Sequence, residues 1–160
     1  MEVYKNLNDD ATLKAEDVPV WFPVCINKEC PRCGECLRYR CAQVLSPENE
    51  TLFCVSPSQW ESDDCRHFVG CEPVRMARGF MKLFDRVLAK HSTSLRLDLT
   101  ALLHGPRIYY EYKRGERLLT PAEQEEMQRI VKHYGYDWEV PFDEFAECLR
   151  FPETLSAKVF

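Results

Sequence analysis

The sequence predicts a mainly α-helical chain in which a loop-rich, cysteine-dense segment precedes a small helical domain. Three observations predict it. Eight of the nine cysteines fall between Cys25 and Cys71. The same stretch carries Pro31, Gly34, Pro47 and Pro57 and too few aliphatic residues for a core of its own. From Pro73 onward, apolar residues recur at the spacing of helix faces. The expected organisation is therefore a polar arm over 1–20, a cysteine-rich module over 21–72 and a helical domain over 73–160.

Each element has its own signal. The arm is polar and aperiodic, with Tyr4 as its one anchor. Trp21, Phe22 and Val24, interleaved with Pro19 and Pro23, suit an extended entry into the cysteines. Beyond Pro73, Val74, Ala77, Phe80, Met81, Phe84, Val87 and Leu88 fit one apolar face of a helix running to His91. Arg75, Arg78, Lys82 and Arg86 recur at steps of three and four, so that helix would carry them on another face. A second helix is expected over Ser94–His104, striped by Leu95, Leu99, Leu102 and Leu103 and ended by Gly105-Pro106. Arg107–Arg114 reads equally as strand or helix. Thr120-Pro121-Ala122-Glu123 is a strong helix start, with Thr as N-cap, Pro at N1 and Glu in the capping-box position. Met127, Ile130, Val131 and Tyr134 continue that helix to Gly135. A last short helix is expected from Asp143, with Phe145, Cys148 and Leu149 facing inward, which makes Cys148 a small core residue.

The cysteines carry the chemical signal. No stretch approaches the roughly 20 apolar residues that cross a bilayer, and the N-terminus lacks the basic and apolar regions of a secretory signal. A cytoplasmic location is expected, where thiols stay reduced; the odd cysteine count also argues against a disulfide framework. A tetrahedral zinc site takes four S or N ligands, in close pairs joined across a loop. Cys30, Cys33 and Cys36 stand at intervals that let neighbouring thiolates converge, and Cys65, His67 or Cys71 can supply the distant half. Spacing alone does not choose the four, and eight cysteines suffice for two sites. An iron–sulfur cluster is the rival cofactor: Cys25-x4-Cys30-x2-Cys33 and Cys30-x2-Cys33-x2-Cys36 each match part of a ferredoxin pattern, but both are incomplete. Zinc ranks first, iron–sulfur second and disulfides third.

Catalysis finds no motif: HExxH, GxSxG, P-loop and GxGxxG are all absent. Charge suggests a binding role. Residues 1–65 hold 6 Lys/Arg against 12 Asp/Glu, residues 66–118 hold 11 against 5, and residues 119–160 hold 4 against 9. A basic middle of +6 between ends of −6 and −5 could face a polyanion, an acidic protein surface or the chain's own acidic ends. Arg107, Tyr109, Lys113 and Arg114 interleave rings with cations, as a phosphate-and-base surface would. Buried tyrosines beside exposed charges explain the same pattern more simply.

The pattern RxYYxxxRGERLLTPxEQ ending in HYGY, with Cys25-x4-Cys30-Pro31, Cys36-Leu37-Arg38 and Cys65-Arg-His-Phe, resembles a family of uncharacterised proteins from gut bacteria that carry a domain of unknown function. The resemblance implies that Cys25, Cys30, Cys36 and Cys65 are the shared thiols and hence the metal ligands; it supplies no activity. More loosely, Leu95–His104, Arg107–Arg114 and Pro121–Tyr134 are similar to the three helices of helix-turn-helix regulators. The leading expectation is a zinc protein binding nucleic acid as an accessory or regulatory factor. It would use Arg75, Arg78, Lys82, Arg86, Arg107, Tyr109, Lys113 and Arg114. The alternatives are a protein-interaction adaptor with purely structural zinc, and an iron–sulfur redox carrier.

Overall fold

The computed structural model describes residues 3–6, 13–47, 49–60 and 65–152. The rest of the N-terminal arm and the run Glu61-Ser-Asp-Asp lie outside the described residues. The elements in chain order are β1 (Val3–Asn6), α1 (Leu37–Leu45), β2 (Val74–Arg78), α2 (Ala89–Leu102), α3 (Pro106–Lys113), β3 (Leu118–Leu119), α4 (Pro121–His133) and β4 (Glu144–Phe151), with short 3-10 turns between them. The four strands form one sheet in the order β1-β4-β2-β3. The fold is therefore not mainly α, and this corrects the expected class.

Two of the expected helices are strands. Pro73–His91 breaks into β2, a 3-10 segment over Met81–Arg86 and the start of α2. The break lies at Gly79, whose φ of +66° is left-handed and ends β2. Two hydrogen bonds fix the turn: Met81 N–H donates to Asp143 Oδ2 (2.9 Å), and Asp143 N–H donates to Gly79 O (3.1 Å). β2 pairs antiparallel with β3, Ala77 opposite Leu119, so its residues satisfy their backbone laterally instead of along a helix. The expected helix from Asp143 is β4, which pairs antiparallel with β1 in the register Val3↔Phe151 to Asn6↔Cys148. Phe145, Cys148 and Leu149 fit helical spacing, but burial follows Leu149 and Phe151 with Arg150 exposed between them, the period of a strand.

Gly79 has little room for a side chain. A Cβ there would stand 2.4 Å from Asp143 Oδ2. Gly79→Ala is expected to lose about 2–3 kcal/mol in chemical denaturation. Of this, roughly 1–2 comes from the left-handed backbone and about 1 from displacing the Asp143 acceptor. Unchanged stability would refute the role given to this turn.

The chain divides into two compact units. The first comprises residues 1–73 and 148–160, the second 74–147. In the second, α2 packs on α3 and α4, and α4 packs on β2 and β3. Its core joins Phe80, Leu83, Leu95, Leu99, Leu103, Tyr109, Leu119, Met127 and Val131. The leucine stripe and the Met127/Val131 face are buried as the periodicity requires. The Thr120 capping box forms: Glu123 N–H donates to Thr120 Oγ1 (3.3 Å) and Thr120 N–H to Glu123 Oε2 (2.7 Å). Between α3 and α4, however, β3 pairs with β2. The order is helix–strand–helix, which overturns the helix-turn-helix expectation.

The first unit builds a core despite its loops. Val18, Phe22, Val24, Leu37, Cys41, Ala42 and Val69 are joined by Leu149 and Phe151 from the far end of the chain. Phe22 and Phe151 meet edge to face, ring centroids 5.0 Å apart. Local composition undercounted this core because two of its members lie about half the chain away.

Candidate metal centre

Four chain segments meet at the cysteines, each held by a specific bond. Val24 lies in a parallel bridge with Cys54, made by Val24 N–H to Phe53 O and Val55 N–H to Val24 O (both 2.8 Å). Cys25 N–H donates to Arg38 O (3.1 Å), tying this segment to α1. Cys30 begins a tight run in which Cys33 N–H donates to Cys30 O (3.1 Å) and Cys36 N–H to Cys33 O (3.2 Å). That run brings Cys36 to the start of α1 and opposite Gly70 in an antiparallel bridge. Leu37 N–H donates to Val69 O (2.7 Å) and Cys71 N–H to Glu35 O (3.1 Å), which fastens the segment following Cys65. The Arg32 guanidinium lies 3.5 Å over the Phe68 ring, a second clasp between the Cys30 and Cys65 segments.

The electrostatics say which sulfurs share a neighbourhood. Burial raises the Cys25 thiol above its ordinary value, the Asn27 backbone lowers it, and Cys36, Cys30 and Cys65 each raise it further. Cys25 thus senses the other three members of the family-implied set. Cys41 differs: burial foremost, with Cys36 adding, pushes its thiol up to about 12, as for a packed core residue. Cys54 is also raised by burial; Cys54 and Cys71 pack against the first core. The Cys33 thiol lies 4.0 Å from the Lys28 carbonyl, and Cys148 is buried on β4. All nine cysteines are free thiols. Among the described residues no group of three or more His, Cys, Asp or Glu is arranged closely enough to hold a metal ion. The four thiols are neighbours rather than a closed tetrahedron, so the expected zinc module is not formed as such.

Arg38 was missed as a site residue, although it stands in the Cys36-Leu37-Arg38 motif. It is 1% exposed, and among the described residues it heads the fully buried side chains by volume. Its Nε donates to His67 O (2.7 Å) and its Nη1 to Pro23 O (2.5 Å), while its guanidinium lies 4.5 Å over the Phe22 ring. Burial pulls its pKa down, and Cys36, Cys41, Cys65 and Cys25 push it back up. Arg is almost never fully buried without partners, and these carbonyls and the Phe22 ring are partners of Arg38.

A model described as a family of unknown function, DUF6078, matches residues 6–151. The chain belongs to this family. The DUF6078 match takes in all nine cysteines and closes on Phe151, the last core residue of the first unit. No curated protein and no solved structure matches the chain.

The basic residues of this DUF6078 member are spread over β2, the 3-10 segment, α3 and the turn after it. Arg75 is on β2, stacked 3.7 Å over Phe145. Arg78 is half-buried, with its Nε enclosed. Lys82 and Arg86 lie on the 3-10 segment, Arg86 5.0 Å over Trp138. On α3, Arg107 pairs with Glu111 (3.2 Å), which also takes Arg117 (2.6 Å), and Arg114 pairs with Glu116 (2.6 Å). Lys113 lies 5.4 Å from the Phe84 ring centroid. Tyr109 is fully buried against Phe80, and burial raises its pKa to about 12. The chain's own acids and rings engage most of the cations proposed to meet phosphates. The first unit also carries an open groove of about 450 Å³ lined by Val18, Phe22, Val24, Leu45 and Phe53; beside it Val20 is 95% exposed. Among the described residues no helix is long and apolar enough to cross a membrane.

Proposed function

We propose that the protein is a small cytoplasmic zinc–thiolate protein in which Cys25, Cys30, Cys36 and Cys65 hold one structural zinc, and that its surface meets another protein. The metal reading is supported by the backbone bonds that gather the segments bearing Cys25, Cys36 and Cys65 about α1, where burial first and then Cys36, Cys30 and Cys65 raise the Cys25 thiol. Crowded thiolates repel one another, and a divalent ion between them reverses the sign of that interaction. A small inward movement of loops, coupled to ion binding, is the ordinary behaviour of small metal modules. The protein-contact reading is favoured over nucleic acid by the engaged guanidiniums of Arg107 and Arg114 and the burial of Tyr109.

Metal analysis of freshly purified protein tests the first part. About one zinc per chain, lost to a chelator together with structure in the first unit, is the expected result. Iron with visible charge-transfer absorption would move the assignment to an iron–sulfur cluster, and absence of metal would remove it. The second part is tested by titrating the protein with single- and double-stranded nucleic acid at low and high salt. Weak binding is expected, unaltered by charge reversal at Arg107, Lys113 and Arg114. Tight binding that falls steeply with salt and is lost in those variants would restore the nucleic-acid reading.

A further inference from the structure

Cys30-Pro31-Arg32-Cys33 is a tight turn with a thiol at each end. Pro31 fixes φ at about −65° in its second position. Arg32, at φ −104° and ψ 13°, has the third-position geometry of a type I turn. Cys33 N–H closes the turn on Cys30 O (3.1 Å). Such a turn holds its end Cα atoms within about 7 Å, and a disulfide spans about 4.4–6.8 Å between Cα atoms. The Cys33 thiol turns back on the loop that leads into Cys30, lying 4.0 Å from Lys28 O. Both thiols are half-buried. Cys36, at the next interval of three, differs: it is 8% exposed and its backbone is bridged to Gly70.

Cys30 also lines a groove of about 550 Å³ walled by Ile26, Lys28, Pro31 and Trp60. The Trp60 indole N–H is enclosed and has no hydrogen-bond partner among the described residues. Buried donors are almost always paired, so this one suits a carbonyl oxygen of a molecule seated in the groove. We propose that Cys30 and Cys33 are a thiol–disulfide exchange pair, and that the groove receives the disulfide of a small peptide thiol. The Cys30 thiolate attacks one sulfur of that disulfide: a bond forms to Cys30 Sγ, the disulfide breaks and one thiolate leaves. The Cys33 thiolate then attacks Cys30 Sγ, breaks the mixed disulfide and releases the second thiolate. Two protein thiols are oxidised, the peptide disulfide is reduced to two thiols, and the two cysteine protons pass to the leaving thiolates. The turn favours the second step because both sulfurs are already carried on one closed ring of backbone. The exchange does not rest on the zinc reading, and a metal on Cys30 would protect that thiol.

The full chain is treated with oxidised glutathione, with and without a chelator, and digested with trypsin, which cuts after Lys28 and Arg32. The expected product has lost two of its nine thiols, with residues 29–32 and 33–38 joined by a disulfide that a dithiol reductant opens. Cys33→Ser is expected to stop at the mixed disulfide, with one glutathionyl group on residues 29–32. Trp60→Phe keeps a ring and removes the N–H. It is expected to slow the reaction with glutathione about threefold to tenfold, the net worth of one hydrogen bond, and to leave the rate with hydroxyethyl disulfide, which has no carbonyl, unchanged. A first adduct on another cysteine in the chelated protein, or a Cys33→Ser chain that still loses two thiols, overturns the pair. Equal glutathione rates in native and Trp60→Phe protein, or equal slowing with both disulfides, overturn the groove as the binding site. Metal content of the untreated protein decides the zinc reading separately.

Discussion

Cys36→Ser is expected to abolish the zinc binding proposed above and to unfold most of the first unit. Cys36 is buried at the N-terminus of α1, opposite Gly70, so its sulfur cannot be replaced by another side chain moving in from solvent. Structural zinc contributes about 10–16 kcal/mol of apparent binding free energy in zinc-finger peptides. Typical domains have net stabilities of only about 5–15 kcal/mol. Loss of one thiolate from four therefore removes much of what holds a loop-rich unit together. Cys30→Ser should behave alike. Three controls separate ligation from packing. Cys41→Ser introduces a hydroxyl into the first core and should cost roughly 1–3 kcal/mol with full zinc content. Cys54→Ser and Cys148→Ser should also keep the metal. Metal analysis and amide hydrogen exchange, read at Leu37 and Cys71 whose N–H groups bond across the unit, would check this series. Retention of zinc in both Cys30→Ser and Cys36→Ser would refute the ligand set.

How much of this was legible depended on the distance over which each signal acts. α4 was legible because its capping box lies within four residues, and α2 because its leucines repeat within one helix. The same local reading failed at β2. Arg75, Arg78, Lys82 and Arg86 stand at helical intervals, and nothing within that window reveals that Leu118 and Leu119 pair with Ala77 and Arg78. Gly79 is the one local hint, a left-handed turn held by Asp143, 64 residues on. β4 failed for a related reason: eight residues containing Phe145, Cys148, Leu149 and Phe151 satisfy both periods, and the choice is made by β1 at the other end of the chain. For the candidate site, spacing gathered the cysteines without selecting four; the resemblance did the selecting. In the structure Cys36, Cys30 and Cys65 act on Cys25, after burial, and no three of them stand close enough to hold an ion. Arg38 was invisible because a charged residue beginning a polar helix reads as solvated, and its burial follows only from carbonyls at Pro23 and His67. In the middle of the chain the partners of Arg107, Arg114 and Arg117 are Glu111 and Glu116, which lie within the basic segment itself and not in the acidic ends.

Phe151→Ala is expected to destabilise the first unit by about 3–5 kcal/mol, the range for removing a buried phenylalanine, although it lies some 80 residues from the cysteine cluster. Phe151 is fully buried, opposite Val3 on β1 and edge-on to Phe22. Phe22 in turn lies beneath the Arg38 guanidinium. Deleting the ring leaves Phe22 without its edge-to-face partner, a contact worth about 0.5–1.5 kcal/mol beyond its buried area, and opens a cavity under Arg38. On the zinc reading proposed above, zinc affinity is expected to fall in Phe151→Ala and to be restored largely by Phe151→Leu, which refills most of the volume. Phe145→Ala serves as the comparison. Phe145 belongs to the same strand but is 45% exposed beneath Arg75, so its loss should cost no more than about 1 kcal/mol and leave zinc binding unchanged. Chemical denaturation and chelator competition on the three variants would check both claims. Equal effects of Phe145→Ala and Phe151→Ala would mean that the strand as a whole, and not the ring against Phe22, completes the first unit. The expected difference follows from burial: within one strand of eight residues, the side chain enclosed by the cysteine-bearing unit governs its stability, and the one turned outward does not.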